Sequence, residues 1–341
     1  MIFEFTSKPD FNFIAEFSAK FKIPVRDNCI AIPAYMGKGY IKRIEFGRDF
    51  RLIIHRYNLK EDFIIKRNAS VERNDLISIF FYTNEQFIDL VYNEAKPVKF
   101  SRNNESAIQL TTSDMNSVIK FPANSEIYKC VVGITASRLS GLLRMEKPNS
   151  IIKKITSGTD SFLYFESMRR ETLKDLKQLS EINVKEGLSN FYYQIKVQQL
   201  LYDLFSELLK RDNTQHQLIN NADVEKLLVL RNIILEDLSN PPVLTTLSKL
   251  IGMSETKMKQ LFKQTFGDTI YNYYQKIRME EAAFLLKQAG YSVSDVGYKL
   301  GFSNLSHFSR LFEKQFGITP KKYASYTQTH GNTIKANLPT Q

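Results

Sequence analysis

Two stretches in the second half of the chain decide how it is read: LIGMSETKMKQLFKQTFGDT at residues 250–269 and KLGFSNLSHFSRLFEKQFGIT at residues 299–319. Each begins with a glycine, an apolar residue and a serine: Gly252-Met253-Ser254 in the first and Gly301-Phe302-Ser303 in the second. Each then gives a Leu-Phe pair, three further residues and a Phe-Gly pair. These are Leu261-Phe262 with Phe266-Gly267, and Leu311-Phe312 with Phe316-Gly317. The second copy holds one extra residue between its serine and its Leu-Phe pair. Self-similarity of this kind marks one structural unit used twice.

Each copy spells helix, tight turn, helix. Leu247, Leu250 and Ile251 supply an apolar stripe to a short first helix, as do Val296 and Leu300 in the second copy. Ser248 and Gly297 are small enough to let a second helix cross closely. Gly252 and Gly301 suit the left-handed conformation that ends a helix. Ser254 and Ser303 then stand where a hydroxyl caps the free amides of the next helix. Neither has Glu or Gln three residues on, so no capping box is expected there.

The second helix of each copy divides into two faces. Met258, Leu261, Phe262 and Phe266 fall together, as do Phe308, Leu311, Phe312 and Phe316. The opposite face carries Thr256, Lys259, Gln260 and Lys263 in the first copy, with Lys257 beside it. In the second it carries Ser306, Ser309 and Arg310, with His307 adjacent. Such side chains read base edges and hold phosphates. One polar helix face is ordinarily just a solvated face; two matching copies behind the same turn point to DNA. A helical pattern over 270–288 joins them and sets the spacing of two recognition helices. Successive major-groove segments on one side of a duplex lie about 34 Å apart, so a shorter spacing requires bent DNA.

Over residues 224–326 the sequence resembles the AraC/XylS family of bacterial transcription regulators. The likeness is carried by 247–254, Leu261-Phe262, Phe266-Gly267, Arg278 with Ala282, Leu285 and Leu286, 296–302, Arg310-Leu311-Phe312, and Phe316-Gly317 through Thr319-Pro320-Lys321-Lys322-Tyr323. The resemblance implies base contacts from Thr256, Lys259 and Gln260 in the first unit and from Ser306, Ser309 and Arg310 in the second. It also implies double-stranded promoter DNA and RNA polymerase as partners. The first recognition helix holds no arginine, the usual reader of guanine, which shifts its expected role towards phosphate anchoring.

The rest of the chain is read around this domain. Residues 1–136 hold short β-branched and aromatic runs at 41–46, 50–57, 62–66, 76–82, 107–111 and 127–135, a β-rich domain with the place of an effector-binding domain. Residues 137–212 read as helical, with a seam at Val197, Leu201, Leu204 and Leu208 that either pairs with a second subunit or packs on its own β domain. A polar linker at 213–223 and a loose tail at 327–341 complete the division. The expected class is α+β: an N-terminal β-barrel or sandwich of cupin-like kind with a helical pair, then an all-α tandem helix-turn-helix domain. Residues 187–209 resemble the corresponding region of the siderophore-responsive regulators related to PchR, which implies a siderophore-like small-molecule effector; no residues for its pocket are assigned.

Composition sets limits. The 341 residues carry a net charge of +11, which suits an anionic partner. Residues 222–341 hold fifteen Lys and Arg against ten Asp and Glu, so the positive charge is somewhat denser there. No secretory leader and no apolar run long enough for a membrane span are seen, and two cysteines are too few for a disulfide framework or a thiolate zinc site. A cytoplasmic protein is expected, without catalytic residues, cofactor or metal. Two other readings are an architectural DNA binder without effector and a cupin-type metalloenzyme. The second is poorly supplied, since His55 is the one histidine of the β region.

Overall fold

The structure is a computed structural model. It describes all residues except 9–10, 71, 73, 84–87, 92–97, 101–106, 181–186, 212–216, 289 and 330–341. Residues 213–216 of the expected linker, and 330–341 of the expected tail, therefore lie outside the described residues.

By internal contact the chain falls into two units, Met1–Val229 with Gln260–Gly267, and Leu230–Lys259 with Asp268–Gln341. The first opens with β1 (Ile2–Thr6), α1 (Phe13–Phe21), β2 (Cys29–Ala31), β3 (Gly37–Glu45), β4 (Phe50–Leu59), β5 (Phe63–Asn68) and β6 (Leu76–Tyr82). It continues with β7 (Ile88–Val91), β8 (Val98–Phe100), β9 (Ile108–Thr112), β10 (Ser117–Phe121) and β11 (Glu126–Thr135). Then follow α2 (Ala136–Leu143), α3 (Ser150–Ser157), β12 (Leu163–Glu166), α4 (Arg170–Ser180) and α5 (Ser189–Lys210). The strands form a five-stranded sheet, ordered β1-β5-β10-β7-β8, and a seven-stranded sheet, ordered β12-β9-β6-β11-β4-β3-β2.

Two elements differ from the sequence expectation. Helix α1 lies inside the β-rich stretch: Asn12 caps it by accepting from the Ala15 amide, and Phe13, Ile14 and Phe17 bury one side. Strand β12 lies inside the stretch read as helical. Its apolar run Phe162 to Phe165 is fully buried, and a short buried run has no periodicity to separate strand from helix.

Strands β4, β6 and β11 are buried on both faces, which removes the alternation of a half-buried sheet. On one face Leu52, Ile54, Ile79, Phe81 and Val132 share a core with Val197, Leu201, Leu204 and Leu208 of α5. Of the two readings of that seam, packing on its own β domain is the one observed. On the other face Arg51 and His55 of β4 and Lys129 of β11 line a cavity, together with Arg67 of β5.

The second unit is helical. It draws on α6 (Asn221–Glu236), α7 (Leu244–Ile251), α8 (Glu255–Phe266), α9 (Ile270–Leu285), α10 (Val293–Lys299), α11 (Leu305–Phe316) and α12 (Pro320–Thr329), with α6 and α8 divided between the units. Its core gathers Met279, Ala282, Leu286, Val296, Phe308 and Phe312. Helix α12 continues to Thr329, three residues into the stretch expected as tail.

Candidate nucleic-acid interface

Helices α7 and α8 form the first helix-turn-helix and α10 and α11 the second. Gly252 ends α7 with φ at 60°, and its amide closes the turn onto the Ser248 and Lys249 carbonyls. Gly301 takes φ at 76° after α10, and a Cβ there would meet the Ser239 carbonyl oxygen at 1.9 Å, so no other residue fits. A Cβ on Gly297 would stand 2.5 Å from Leu305, which is the close helix crossing expected of a small residue.

The caps differ between the copies. Ser254 accepts from the Lys257 amide at 3.4 Å, as expected. Ser303 does not cap α11. Asn304, the extra residue of the second copy, does so instead, accepting from the amides of Ser306 and His307. The insertion shifts the helix start by one position, and Asn caps as well as Ser. A capping box does occur in the second copy, one helix earlier, between Ser292 and Asp295. Its hydrogen bonds from Ser292 hold the Asp295 carboxyl below its usual value.

The apolar faces of both recognition helices are covered: Met258, Leu261, Phe262, Phe308 and Phe312 are wholly buried, while Leu311 and Phe316 are half-buried. Leu250 departs from the expected stripe of α7 and is exposed, leaving Leu247 and Ile251 to bury it. On the opposite faces Thr256, Lys259, Gln260, Ser306, His307 and Arg310 are exposed, and Lys257, Lys263 and Ser309 are half-buried. Lys259 lies 3.8 Å from Glu255 one turn back, a surface pair too weak to hold it from a phosphate. The His307 ring meets Phe302 edge-on at 5.9 Å.

Gln260 is engaged otherwise. The C-terminal half of α8, Gln260–Gly267, packs as part of the first unit. There the Gln217 amide donates to Gln264 Oε1 and Gln264 Nε2 donates to the Gln217 carbonyl, both at 3.0 Å. Gln217 Nε2 donates in turn to Gln260 Oε1. Arg211 donates through Nη1 to the Gln264 carbonyl at 3.0 Å, and its Nε lies 2.6 Å from the Glu166 carboxylate. Phe165 stacks on Phe266 with centroids 5.4 Å apart. Nothing local in the sequence announces these contacts, because the partners lie 43 to 53 residues apart along the chain in the hydrogen bonds concerned.

Comparison with known proteins agrees with this geometry. Residues 247–326 match a family model described as a helix-turn-helix domain. Among curated proteins, the chain is 26% identical over 181 residues to the HTH-type transcriptional activator CsvR of Escherichia coli, covering 46% of this chain and 67% of that protein. It is 35% identical over 97 residues to the transcriptional activator AggR of Escherichia coli, covering 28% and 36% of the two chains. The matched region thus spans from about a third to about two thirds of these two relatives. A solved transcriptional regulator from Chromobacterium violaceum, described as having an AraC-type DNA-binding domain, aligns at 28% identity and a TM-score of 0.30. That alignment covers 33% of this chain and all of that one.

Proposed function

We propose that this chain is a sequence-specific DNA-binding transcription regulator that places α8 and α11 in successive major-groove segments. What carries the reading is the pair of helix-turn-helix units, each with its apolar face buried and its polar face outward. Thr256, Lys257, Lys259, Gln260 and Lys263 make the first set of contacts, and Ser306, His307, Ser309 and Arg310 the second. A cytoplasmic location and contact with RNA polymerase at a promoter go with this role. So does the division into a β-rich effector domain, a helical region and a C-terminal DNA-binding domain. Selection from a random double-stranded DNA library with the full chain tests it. The expected product is two short conserved boxes centred about one helical turn apart. Enrichment of no motif, with coverage that spreads along the DNA, would instead support the architectural role.

A homodimer belongs to the same proposal, through a stripe other than the seam read from sequence. Leu188, Ile195, Tyr202 and Leu209 recur every seven residues at the start of and along α5, with Phe191 beside them, and all are exposed. That period suits helix pairing with a second copy. Light scattering on Ile195→Glu/Tyr202→Glu checks it, with a monomer expected where the parent chain is a dimer.

The N-terminal unit is proposed to sense a small molecule. Support comes from the cavity between its sheets and from the packing of Gln260–Gly267 within that same unit.

A further inference from the structure

The two copies of the turn motif share a sequence pattern but not their surroundings. Setting Leu261-Phe262 against Leu311-Phe312 places Gln264 opposite Lys314 and Gly267 opposite Gly317. Gln264 is 5% exposed, whereas Lys314 is open to solvent. Both glycines are left-handed, with φ at 82° and 72°. A Cβ on Gly317 would meet nothing within 4 Å, while one on Gly267 would stand 2.8 Å from the Arg211 guanidinium. The second copy shows the end of its recognition helix standing free. The first shows the same end with an arginine packed against it.

Arg211 is the C-cap residue of α5, and its side chain is only 9% exposed. Each of its three nitrogens is committed. Nε pairs with the Glu166 carboxylate, Nη2 donates to the Phe165 carbonyl, and Nη1 donates to the Gln264 carbonyl. The guanidinium also lies over the Tyr164 ring, 5.8 Å from its centroid. Tyr164, Phe165 and Glu166 all belong to β12, which pairs with β9 at the edge of the seven-stranded sheet. The Gln264 carbonyl is one of the four that α8 leaves without an intrahelical partner, and the helix dipole favours a cation there. Lysine could not replace this residue, because only a planar fork reaches two carbonyls and a carboxylate together.

The position of the clamp along the chain gives it a consequence. Arg211 and its β12 partners precede residues 247–326, the stretch that matches the helix-turn-helix family model. Helix α8 is continuous from Glu255 to Phe266, so holding its last turn restricts its first, where Thr256 and Lys259 face outward. A helix of this length is about 18 Å long, and a tilt of about 10° about one end moves the other by about 3 Å. That displacement equals a whole hydrogen-bond length and is enough to lose a base contact. We propose that Arg211, anchored on β12, is a positioning residue for the first recognition helix. Base preference in the DNA box read by α8 then depends on a contact made outside the helix-turn-helix region, while the box read by α11 needs no such brace. The inference rests on the reading of α8 and α11 as the DNA-reading helices.

The test uses the full chain and the DNA selected by it, with single wrong bases placed in each box in turn. Arg310→Ala marks which box α11 reads. In the parent a wrong base in either box is expected to weaken binding about tenfold or more. In Arg211→Gln the penalty in the α8 box is expected to fall to about twofold, with the α11 box unchanged. Retained discrimination in the α11 box shows that the variant is folded. Gly267→Ala reaches the same contact without removing the arginine, because its Cβ presses on the guanidinium, and the same loss in the α8 box is expected. Gly317→Ala imposes the same backbone strain in open space and is expected to leave the α8 box unchanged. Equal losses in both boxes for Arg211→Gln would make Arg211 a general stabiliser and overturn the proposal. An α8 box unaffected by Arg211→Gln and by Gly267→Ala would do so too. A parent chain that selects no motif fails at the earlier step, the DNA-reading role itself, and is thereby told apart from failure of the clamp.

Discussion

Arg278, in the middle of α9, donates through Nε to the Leu300 carbonyl at 2.8 Å, and its guanidinium lies 3.6 Å from the centroid of Phe302. Leu300 is the residue at which α10 ends, so its carbonyl is one of those a helix terminus leaves without an intrahelical partner. One side chain of the connecting helix thereby closes the turn of the second helix-turn-helix and packs beneath it.

Replacing Arg278 by Ala removes a charge-assisted hydrogen bond and a stacking surface from a site only 4% exposed. The expected loss is about 2–3 kcal/mol, seen as faster amide exchange across α10 and α11. Lys in its place is expected to restore little, since it lacks the planar fork. Unchanged exchange in Arg278→Ala would rule out this bracing role.

Arg310 and Lys259 are expected to fail in different ways. Arg310→Ala weakens binding to the selected DNA by about 1–3 kcal/mol and relaxes preference at one base position. Lys259→Ala weakens all sequences alike and lowers the slope of log affinity against log salt by about 1. Fluorescence anisotropy over a salt series separates the two, and a uniform loss for Arg310→Ala would move it to the phosphate-holding group.

The cap of α11 gives a sharp comparison. Asn304→Ala is expected to cost about 1 kcal/mol of stability, and Ser303→Ala close to nothing. Equal losses in chemical denaturation would return the cap to Ser303, where the sequence pattern puts it.

That pair shows what the sequence could and could not tell. The duplicated Gly-x-Ser turn, the Leu-Phe pairs and the outward faces were legible because they are local and periodic. The cap was missed because matching the two serines shows that one residue is extra but not where it falls; it is Asn304, directly after Ser303, and it takes the cap position. In the β region the strands were legible as runs but not their partners. Arg51 and Arg67 stand on strands of different sheets, and a charged residue in a strand ordinarily reads as solvent-facing. His55 is a residue of strand β4, and its burial against Phe13 is not visible in the strand pattern alone. Gln217 looked like linker, and only the folded chain brings it to Gln260.

Gln217→Ala removes the hydrogen bond that occupies the Gln260 side chain, together with none of the backbone contacts to Gln264. DNA affinity is expected to rise, by no more than about fivefold, since one exchanged hydrogen bond contributes about 1 kcal/mol. An affinity that falls would mean that Gln217 orders α8 for binding rather than withholding it.

The Lys129 ammonium makes stability depend on pH in a definite direction. Its folded value is about 7, against about 10.4 for a free lysine, so between these limits the unfolded chain binds more protons. Stability of the N-terminal unit therefore rises as pH increases from 7 towards 10, at no more than about 1.4 kcal/mol per unit from this group. Below 7 both states are protonated and the full cost of the buried charge persists. Lys129→Met removes that slope and is expected to raise the urea midpoint most near neutral pH. Comparing parent and variant at each pH cancels the groups they share, including Arg51, His55 and Arg67 around the same cavity. An identical pH profile in the two proteins would show that Lys129 stays charged when buried.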